Sequence, residues 1–373
     1  MEQNQSGLQE LLNIAQSSPW LFPKLRTLFP YLGMHNNLDA LLRTMSHKSK
    51  KIMIIGFSRH WQAMVQNNIF TIVRFTRTSN YIIVTGDELS LLVCIELNLP
   101  CYNATSYMLK LQKNVSMEHE ATINDAYYLA LVWYLFPLYL DILRKGFTIM
   151  KSDLDISYAA KDIWKTFELM IEETEADLIF MKENPINTGQ FYARPNERVL
   201  AFFEEWIDSY RFYQTYNDQQ ALANMKGKIY QICNSKESCN DVKTLPMHRT
   251  SNNTLRINNQ TSKMAAVLTY PSSFARYGDL CPPNNTMNSC NQDVLYVHTI
   301  CLTGAQAKMN KLKELGFWLM ADPCTESKLD APSRSSQLVN VTLIRCVPTP
   351  RLRPSVERSF LHCNNSKYAV SLS

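Results

Sequence analysis

The chain predicts an α/β fold with a mainly parallel central sheet flanked by helices, and three observations carry that prediction. From Lys51 onward, short apolar runs alternate with longer helical stretches, the rhythm of βα units whose sheet is covered on both faces. The 373 residues are 46% hydrophobic and 11% aromatic, which describes a globular chain with ample length for a substantial core. Near the middle, the strand-like run Phe147-Thr148-Ile149-Met150 leads through Lys151 and Ser152 into Asp153-Leu154-Asp155. In an open α/β sheet, ligands collect in the crevice beyond the carboxyl ends of the strands.

Residues 1 to about 50 read as an amphipathic helical stem or cap, broken between Pro19 and Pro30. Its apolar positions are Leu8, Leu11, Leu12 and Ile14, then Leu38, Leu41 and Leu42. Lys51 to Phe57 is predicted as a strand, Trp61 to Phe75 as a helix, and Tyr81 to Thr85 as a strand. Glu88 to Leu97 reads as a helix opened by Asp87, whose carboxylate suits a cap. The apolar stretch from Ala126 to Leu143 is borderline in length for a membrane span. It contains Pro137 and Asp141 and leads straight into the carboxylate strand, so it reads as a buried core helix. A helix over Lys161 to Glu173, strands at Asp177 to Phe180 and Phe191 to Ala193, and a helix over Glu197 to Tyr210 follow. The Asn- and Ser-rich stretch from Cys233 to Lys263 reads as an irregular insertion. Order returns at Ala265 to Tyr270, Val294 to His298, and a helix over Ala305 to Leu315 that ends at Gly316. On this reading the chain has a stem over 1–50, one α/β domain over 51–320, and a Cys-containing tail over 321–373.

A formal net charge of +5 is small for this size, and the Lys and Arg residues are dispersed. Nucleic-acid binding would want a dense basic stripe with interleaved aromatics, so that partner is excluded. The ten cysteines are even in number, crowd the last part of the chain, and show no CxxC spacing for zinc. Asn-x-Ser/Thr sequons occur at Asn103, Asn114, Asn252, Asn259, Asn284, Asn340 and Asn364. Clustered cysteines and sequons together point to an oxidising lumen, with disulfides among Cys233 to Cys363 and glycans on some of the asparagines. The expected location is the Golgi or ER lumen, with a membrane anchor that is not visible in this chain. The polar Met1-Glu2-Gln3-Asn4-Gln5 start lacks the profile of a signal peptide, so a chain complete as given would be cytoplasmic.

Asp153 and Asp155 at i and i+2 of an extended segment point the same way, because side chains alternate. Two such charges repel unless a cation sits between them. A hard divalent ion that shares its other positions with phosphates suits that arrangement. An Asp-x-Asp triplet alone is common in turns, but four further segments follow a fixed order around it. They are Ile82-Ile83-Val84-Thr85-Gly86-Asp87-Glu88; Asn187-Thr188-Gly189-Gln190-Phe191-Tyr192-Ala193-Arg194; Asn217-Asp218-Gln219-Gln220-Ala221-Leu222; and His298 through Gly304 to Lys308, with Gly316-Phe317-Trp318 beyond.

From about Lys51 to Leu319 the chain resembles the nucleotide-diphospho-sugar transferase family that includes plant cell-wall xylosyl- and arabinosyltransferases. The resemblance implies a GT-A fold with a Rossmann-like nucleotide-binding half, and a divalent ion, Mn²⁺ or Mg²⁺. It also implies glycosyl transfer from a nucleotide sugar, most simply a UDP-sugar, to a glycan or glycoprotein acceptor. By the same resemblance Asp153, Asp155 and His298 are the metal group, and Asp153 also meets the donor. Asp87 closes the early strand on the donor side, and Gly304 with Lys308 faces the donor diphosphate. Asn187, Thr188 and Gly189 lie beside the donor sugar, and Asp218 with Gln219 lies near the reacting carbon. A metal and a lysine aimed at the leaving diphosphate would supply transition-state stabilisation, and Gly304 would let backbone approach the phosphates.

Each residue also has a structural alternative. Asp155 could cap the next helix, His298 could be a satisfied core histidine, and Lys308 could be solvated. Asn187-Thr188-Gly189 could be only a turn, and Asp218 with Gln219 could cap the helix running to Ala223. The family's bulky aromatic and acidic-proline segment after the carboxylates is replaced here by Ser157-Tyr158-Ala159-Ala160. Two rivals stand beside the metal-dependent transferase. One is an inactive GT-A-like binding or scaffold protein of the secretory pathway, which the intact residue set opposes. The other is a phosphatase, for which no phosphate loop is recognisable. No separate carboxylate base is evident from the sequence, so retention of anomeric configuration is expected, with Asp218 first and Gln219 second as the group acting on the sugar.

Overall fold

The computed structural model describes residues 33–76, 78–111, 120–122, 125–158, 162–183, 186–248, 263–271, 296–300, 302–332 and 338–346. The stem expected before residue 33 lies outside the described residues. So do Cys281, Cys290, Cys301 and Cys363, and the sequons at Asn114, Asn252, Asn259, Asn284 and Asn364.

The strands are β1 (Lys51–Phe57), β2 (Tyr81–Thr85), β3 (Cys101–Asn103), β4 (Thr148–Ser152), β5 (Ile156–Tyr158) and β6 (Leu178–Lys182). They continue as β7 (Ile186–Ala193), β8 (Tyr230–Cys233), β9 (Ala265–Pro271), β10 (Tyr296–His298), β11 (Thr325–Pro332) and β12 (Leu338–Arg345). Eight of them form the central sheet in the order β3-β2-β1-β4-β7-β6-β9-β8. β7 pairs antiparallel with both β4 and β6, and every other neighbour in the sheet is parallel. This is the mainly parallel α/β architecture that the alternating apolar runs predicted, and it fits the Rossmann-like half that the family resemblance implied.

Strand alternation explains the two cores. Ile52 and Ile54 face one apolar cluster, while Met53, Ile55 and Phe57 face the other, because successive side chains leave opposite faces. Buried on both faces, such strands need helices on both sides. The helix Gln62–Thr76 packs on one side. Helices Ala126–Trp133, Leu135–Arg144 and Glu197–Ser209 pack on the other.

The apolar stretch Ala126–Arg144 passes a length and composition test for a membrane span, yet 67% of it is buried inside the fold. It divides at Tyr134 into two helices. Pro137 falls in the first turn of the second, where a missing N–H removes no helical bond. Asp125 and Asn196 cap their helices through side-chain oxygens.

Several details differ from the sequence reading. Asn187-Thr188-Gly189 is not a turn: β7 starts at Ile186, well before the expected Phe191. The stretch read as irregular from Cys233 carries a capped helix, Lys236–Thr244, tied to β8 by the Cys233–Cys239 disulfide. The tail past Asp322 holds an antiparallel hairpin, β11 with β12, closed by Cys324–Cys346. Gln62 and Gln66 hold that hairpin against the domain through the backbone of Thr342, Ile344 and Cys346. A third disulfide, Cys94–Cys101, lies earlier than the cysteine cluster that suggested such bonds.

Candidate active site

The single reversed strand positions the site. Because β7 runs against its neighbours, its first residues lie at the edge where β4 and β6 end: Ser152 pairs with Gln190, and Met181 pairs with Asn187. Asn187, Thr188 and Gly189 therefore line the crevice beyond the carboxyl ends of β4 and β6, although they open their own strand.

Asp153 and Asp155 follow β4 in a turn rather than in the extended segment assumed from the sequence. Their alignment comes from tertiary bonds. Asn68, buried on the helix Gln62–Thr76, donates to the carbonyls of Asp153 and Ile156 and to Ser152 Oγ. Asn67 does the same for Ser157 Oγ and the Phe317 carbonyl, and accepts from Leu319 N–H. Past the turn, β5 pairs with β10, so His298 lies opposite Ile156. Ligand atoms of Asp153, Asp155 and His298 lie within 4.8 Å of one another. His298 Nε2 is 3.1 Å from Asp155 Oδ1 and 3.9 Å from Asp153 Oδ2.

Lys308, one turn into the helix Ala305–Glu314, places Nζ 2.5 Å from Asp155 Oδ2. Burial works against a charged Asp155, but His298 and Lys308 outweigh it and hold the carboxyl well below its ordinary range. Two carboxylates and an imidazole form a donor set suited to a divalent ion of the Mn²⁺ or Mg²⁺ type, and the ammonium already occupies a cation's place on Asp155. Gly189 keeps the space clear. A Cβ there would lie 2.4 Å from His298 Cε1 and 2.7 Å from Asp153 Oδ2. The residues present fit a metal.

On the far side, Gly304 caps the helix Ala305–Glu314 at φ 85°, a left-handed backbone that glycine adopts readily. The first N–H groups of a helix form an anion site. Here one is already taken by an anion, since Glu120 Oε1 accepts from Ala305 N–H at 2.6 Å.

In the other direction along the cleft, Gln219 Oε1 accepts from Thr188 N–H at 3.3 Å, and Asn187 Nδ2 donates to Glu183 Oε2. Asn217, rather than Asp218 or Gln219, caps the short helix Asp218–Ala223. Asp218 is thereby left buried with Oδ2 unpartnered. Burial pushes its carboxyl upward, against the pull of the Lys151 ammonium. Of the aromatics before it, Tyr210 and Tyr213 pack against the edge of one apolar core. Phe212 is 61% exposed, Tyr213 stacks on Tyr216, and Tyr210 lies against Trp133.

One cleft of about 370 Å³ is lined by Asp153, Asp155, Asn187, Thr188, Gly189, Asp218, Gln219, His298, Gly304 and Lys308, within the usual size of a ligand site. Of the residues expected there, Asp87 is the exception. It accepts from Ser90 N–H and Oγ as the cap of Glu88–Glu96 and is not part of the lining. Two charged residues of the site escaped the sequence reading. Lys151 is buried, with Nζ 3.0 Å from Asp153 Oδ1 and 2.8 Å from the Thr188 carbonyl. Burial alone would lower its pKa, but Asp153 and Asp218 outweigh that and raise it. A lysine inside an apolar strand, two residues before the carboxylates, was a usable signal. Glu183 also lines the cleft. It sits at the β6–β7 turn, and nothing local in the sequence marks it.

The chain is similar to known proteins at the level of a family, of one relative and of solved structures. A family model described as nucleotide-diphospho-sugar transferase matches residues 76–312. A protein of Arabidopsis thaliana, uncharacterized protein At1g28695, is 23% identical over 119 residues, which cover 32% of this chain and only 36% of that protein. Among solved structures, mouse xyloside xylosyltransferase 1 in its apo form aligns with 46% of this chain and 79% of its own, at 14% identity and a TM-score of 0.32. The glycosyltransferase GlyE of Streptococcus pneumoniae TIGR4 aligns with 47% of this chain and 42% of its own, at 11% identity and a TM-score of 0.30.

Proposed function

Because the chain belongs to the nucleotide-diphospho-sugar transferase family, we propose that it is a metal-dependent glycosyltransferase that moves a sugar from a UDP-sugar to a glycan or glycoprotein. One observation carries this reading: the cleft is electrically polarised along its length. Lys308, His298 and the N-terminus of the helix Ala305–Glu314 make one end receptive to phosphate. Asp218, Gln219, Asn187 and Glu183 make the other end a set of hydrogen-bonding groups for hydroxyls. Glu120 on Ala305 N–H supports the first assignment, since a carboxylate already uses the anion site.

Asp153, Asp155 and His298 would hold the ion, which when bound supplies Lewis-acid stabilisation of the leaving diphosphate. Lys308 adds a second positive charge on the same side, and Gly304 allows backbone N–H groups close to the phosphates. Lys151 holds Asp153 in place from below through its bond to the Thr188 carbonyl. Asp218, with Oδ2 unpartnered, faces the sugar end, where it can steady positive charge at the anomeric carbon or attack it, with Gln219 as the alternative group. Retention follows if Asp218 acts on the face opposite the leaving group. The Golgi or ER lumen is the proposed location, supported by three disulfides among the described residues, which persist in oxidising compartments.

The test is nucleotide release from a panel of UDP- and GDP-sugars with Mn²⁺ and with chelator. Release from a UDP-sugar that stops on chelation is expected. Binding of UDP that is indifferent to chelation would remove the metal from the account, and proton NMR showing an inverted first product would remove retention.

A further inference from the structure

We propose that Glu183 makes the sugar end of the cleft selective for an uncharged donor sugar, so that nucleotide-linked uronic acids are rejected. This rests on reading the cleft as a nucleotide-sugar site and adds the class of sugar it accepts.

The argument is one of charge placement. The acidic and basic residues lining the cleft, among the described residues, are Lys151, Asp153, Asp155, Glu183, Asp218, His298 and Lys308. They are segregated. Lys308 lies on Asp155 beside His298, toward the helix Ala305–Glu314. From Asp153 the wall runs the other way through Gly189, Thr188 and Gln219 to Glu183. Along that second stretch lie three carboxylates, Asp153, Asp218 and Glu183, against one ammonium, Lys151. That ammonium is committed to Asp153 Oδ1 at 3.0 Å and to the Thr188 carbonyl at 2.8 Å.

Among the described residues Glu183 has only amide partners, Asn187 Nδ2 and Gln219 Nε2, and both reach the same oxygen, Oε2. Its charge is therefore oriented but not neutralised, and Oε1 is left to accept a hydroxyl. A carboxylate flanked by side-chain amides suits a neutral polyhydroxylated ring: its oxygen takes O–H donors, and the shape of the pair is fixed. A sugar carboxylate in the same place would meet Glu183 and Asp218, with no uncommitted cation among the described lining residues to receive it. Like charges held close in a partly desolvated site are a strong device for rejecting the wrong ligand.

Calorimetry on the full chain with Mn²⁺ tests this with matched pairs, UDP-glucose against UDP-glucuronate and UDP-galactose against UDP-galacturonate. Within each pair only a hydroxymethyl is exchanged for a carboxylate. The neutral member of the preferred pair is expected to bind on the order of 100-fold more tightly. Glu183→Gln, which keeps the shape and removes the charge, should narrow the ratio about tenfold by improving the uronate, whereas Glu183→Asp should preserve it. Comparable binding of both members by the native chain, or an unchanged ratio in Glu183→Gln, overturns the proposal while leaving the nucleotide-sugar reading intact. Binding of UDP alone that no attached sugar improves overturns both. If Glu183→Gln fails to fold, the ratio measured on the native chain decides alone.

Discussion

Asp155 and Asp218 are buried almost equally, at 4% and 3% exposure, yet their carboxyls shift in opposite directions. Asp155 is received by His298 and Lys308 and stays ionised below the ordinary range. Asp218 has an unpartnered oxygen, with the Lys151 ammonium as its main opposing charge, and is pushed upward. Depth is the same, so partners decide. The end of the cleft proposed for phosphate has its acid satisfied by internal partners, while the end proposed for the sugar carries a buried acid only partly compensated. Such an acid costs folding free energy and is the kind of strain that function retains.

Asp155→Asn breaks the satisfied end and should have the largest effect. Activity is expected to fall beyond detection and Mn²⁺ affinity to drop sharply in calorimetry. The fold should persist with about 3 kcal/mol or less of stability lost in denaturant titration. The sign follows from the shift: a depressed carboxyl stabilises above its unfolded value and loses that contribution only as pH falls through its folded value.

Gly189→Ala attacks the junction between the two ends. Its Cβ would collide with His298 and Asp153, so Mn²⁺-dependent UDP binding should fall by on the order of 10²-fold, with about 1–3 kcal/mol of overpacking cost. Unchanged UDP affinity would show that β7 gives way and that the close approach is dispensable.

Asp218→Asn perturbs the strained end and separates activity from stability. Loss of kcat by on the order of 10²-fold is expected with donor binding retained, the signature of a transition-state interaction. The melting temperature should stay level or rise at pH 7. As pH falls through the raised carboxyl of the native protein, Asp218 takes up a proton and its cost disappears. The stability gap between variant and native protein should therefore shrink on acidification, and a gap that widens would contradict the assignment.

Replacing Cys233 and Cys239 together by Ser should have the smallest effect. That short loop is worth about 2 kcal/mol in a chain-entropy account, it lies away from the cleft lining, and Mn²⁺-dependent UDP binding should be untouched.

What was legible in the sequence was local. Apolar runs alternating with helices predicted the sheet because burial on both faces demands them. The order of short segments predicted which residues would meet: Asp153, Asp155, His298, Gly304 and Lys308 converge on one cleft with Asn187 to Gly189, Asp218 and Gln219. The reasons for that convergence were not local. The two acids align through Asn67 and Asn68 on a helix over 80 positions away in sequence, not through strand alternation. Asn187 to Gly189 reach the ligand edge only because β7 is reversed between β4 and β6, and strand direction is set by pairing across the sheet. Asp87 looked like a site residue because it ends a strand, but its carboxylate is spent on its own helix. Glu183 has no local signature of function, and Lys151 offers only its place in an apolar strand, since a charge acquires its role from what lies within a few ångströms of it. Composition and pattern determined the fold class and nominated the acids and bases. Tertiary pairing alone decided which buried carboxylates would be met by cations and which would keep an unpartnered oxygen, because electrostatic compensation depends on distance in space rather than separation along the chain.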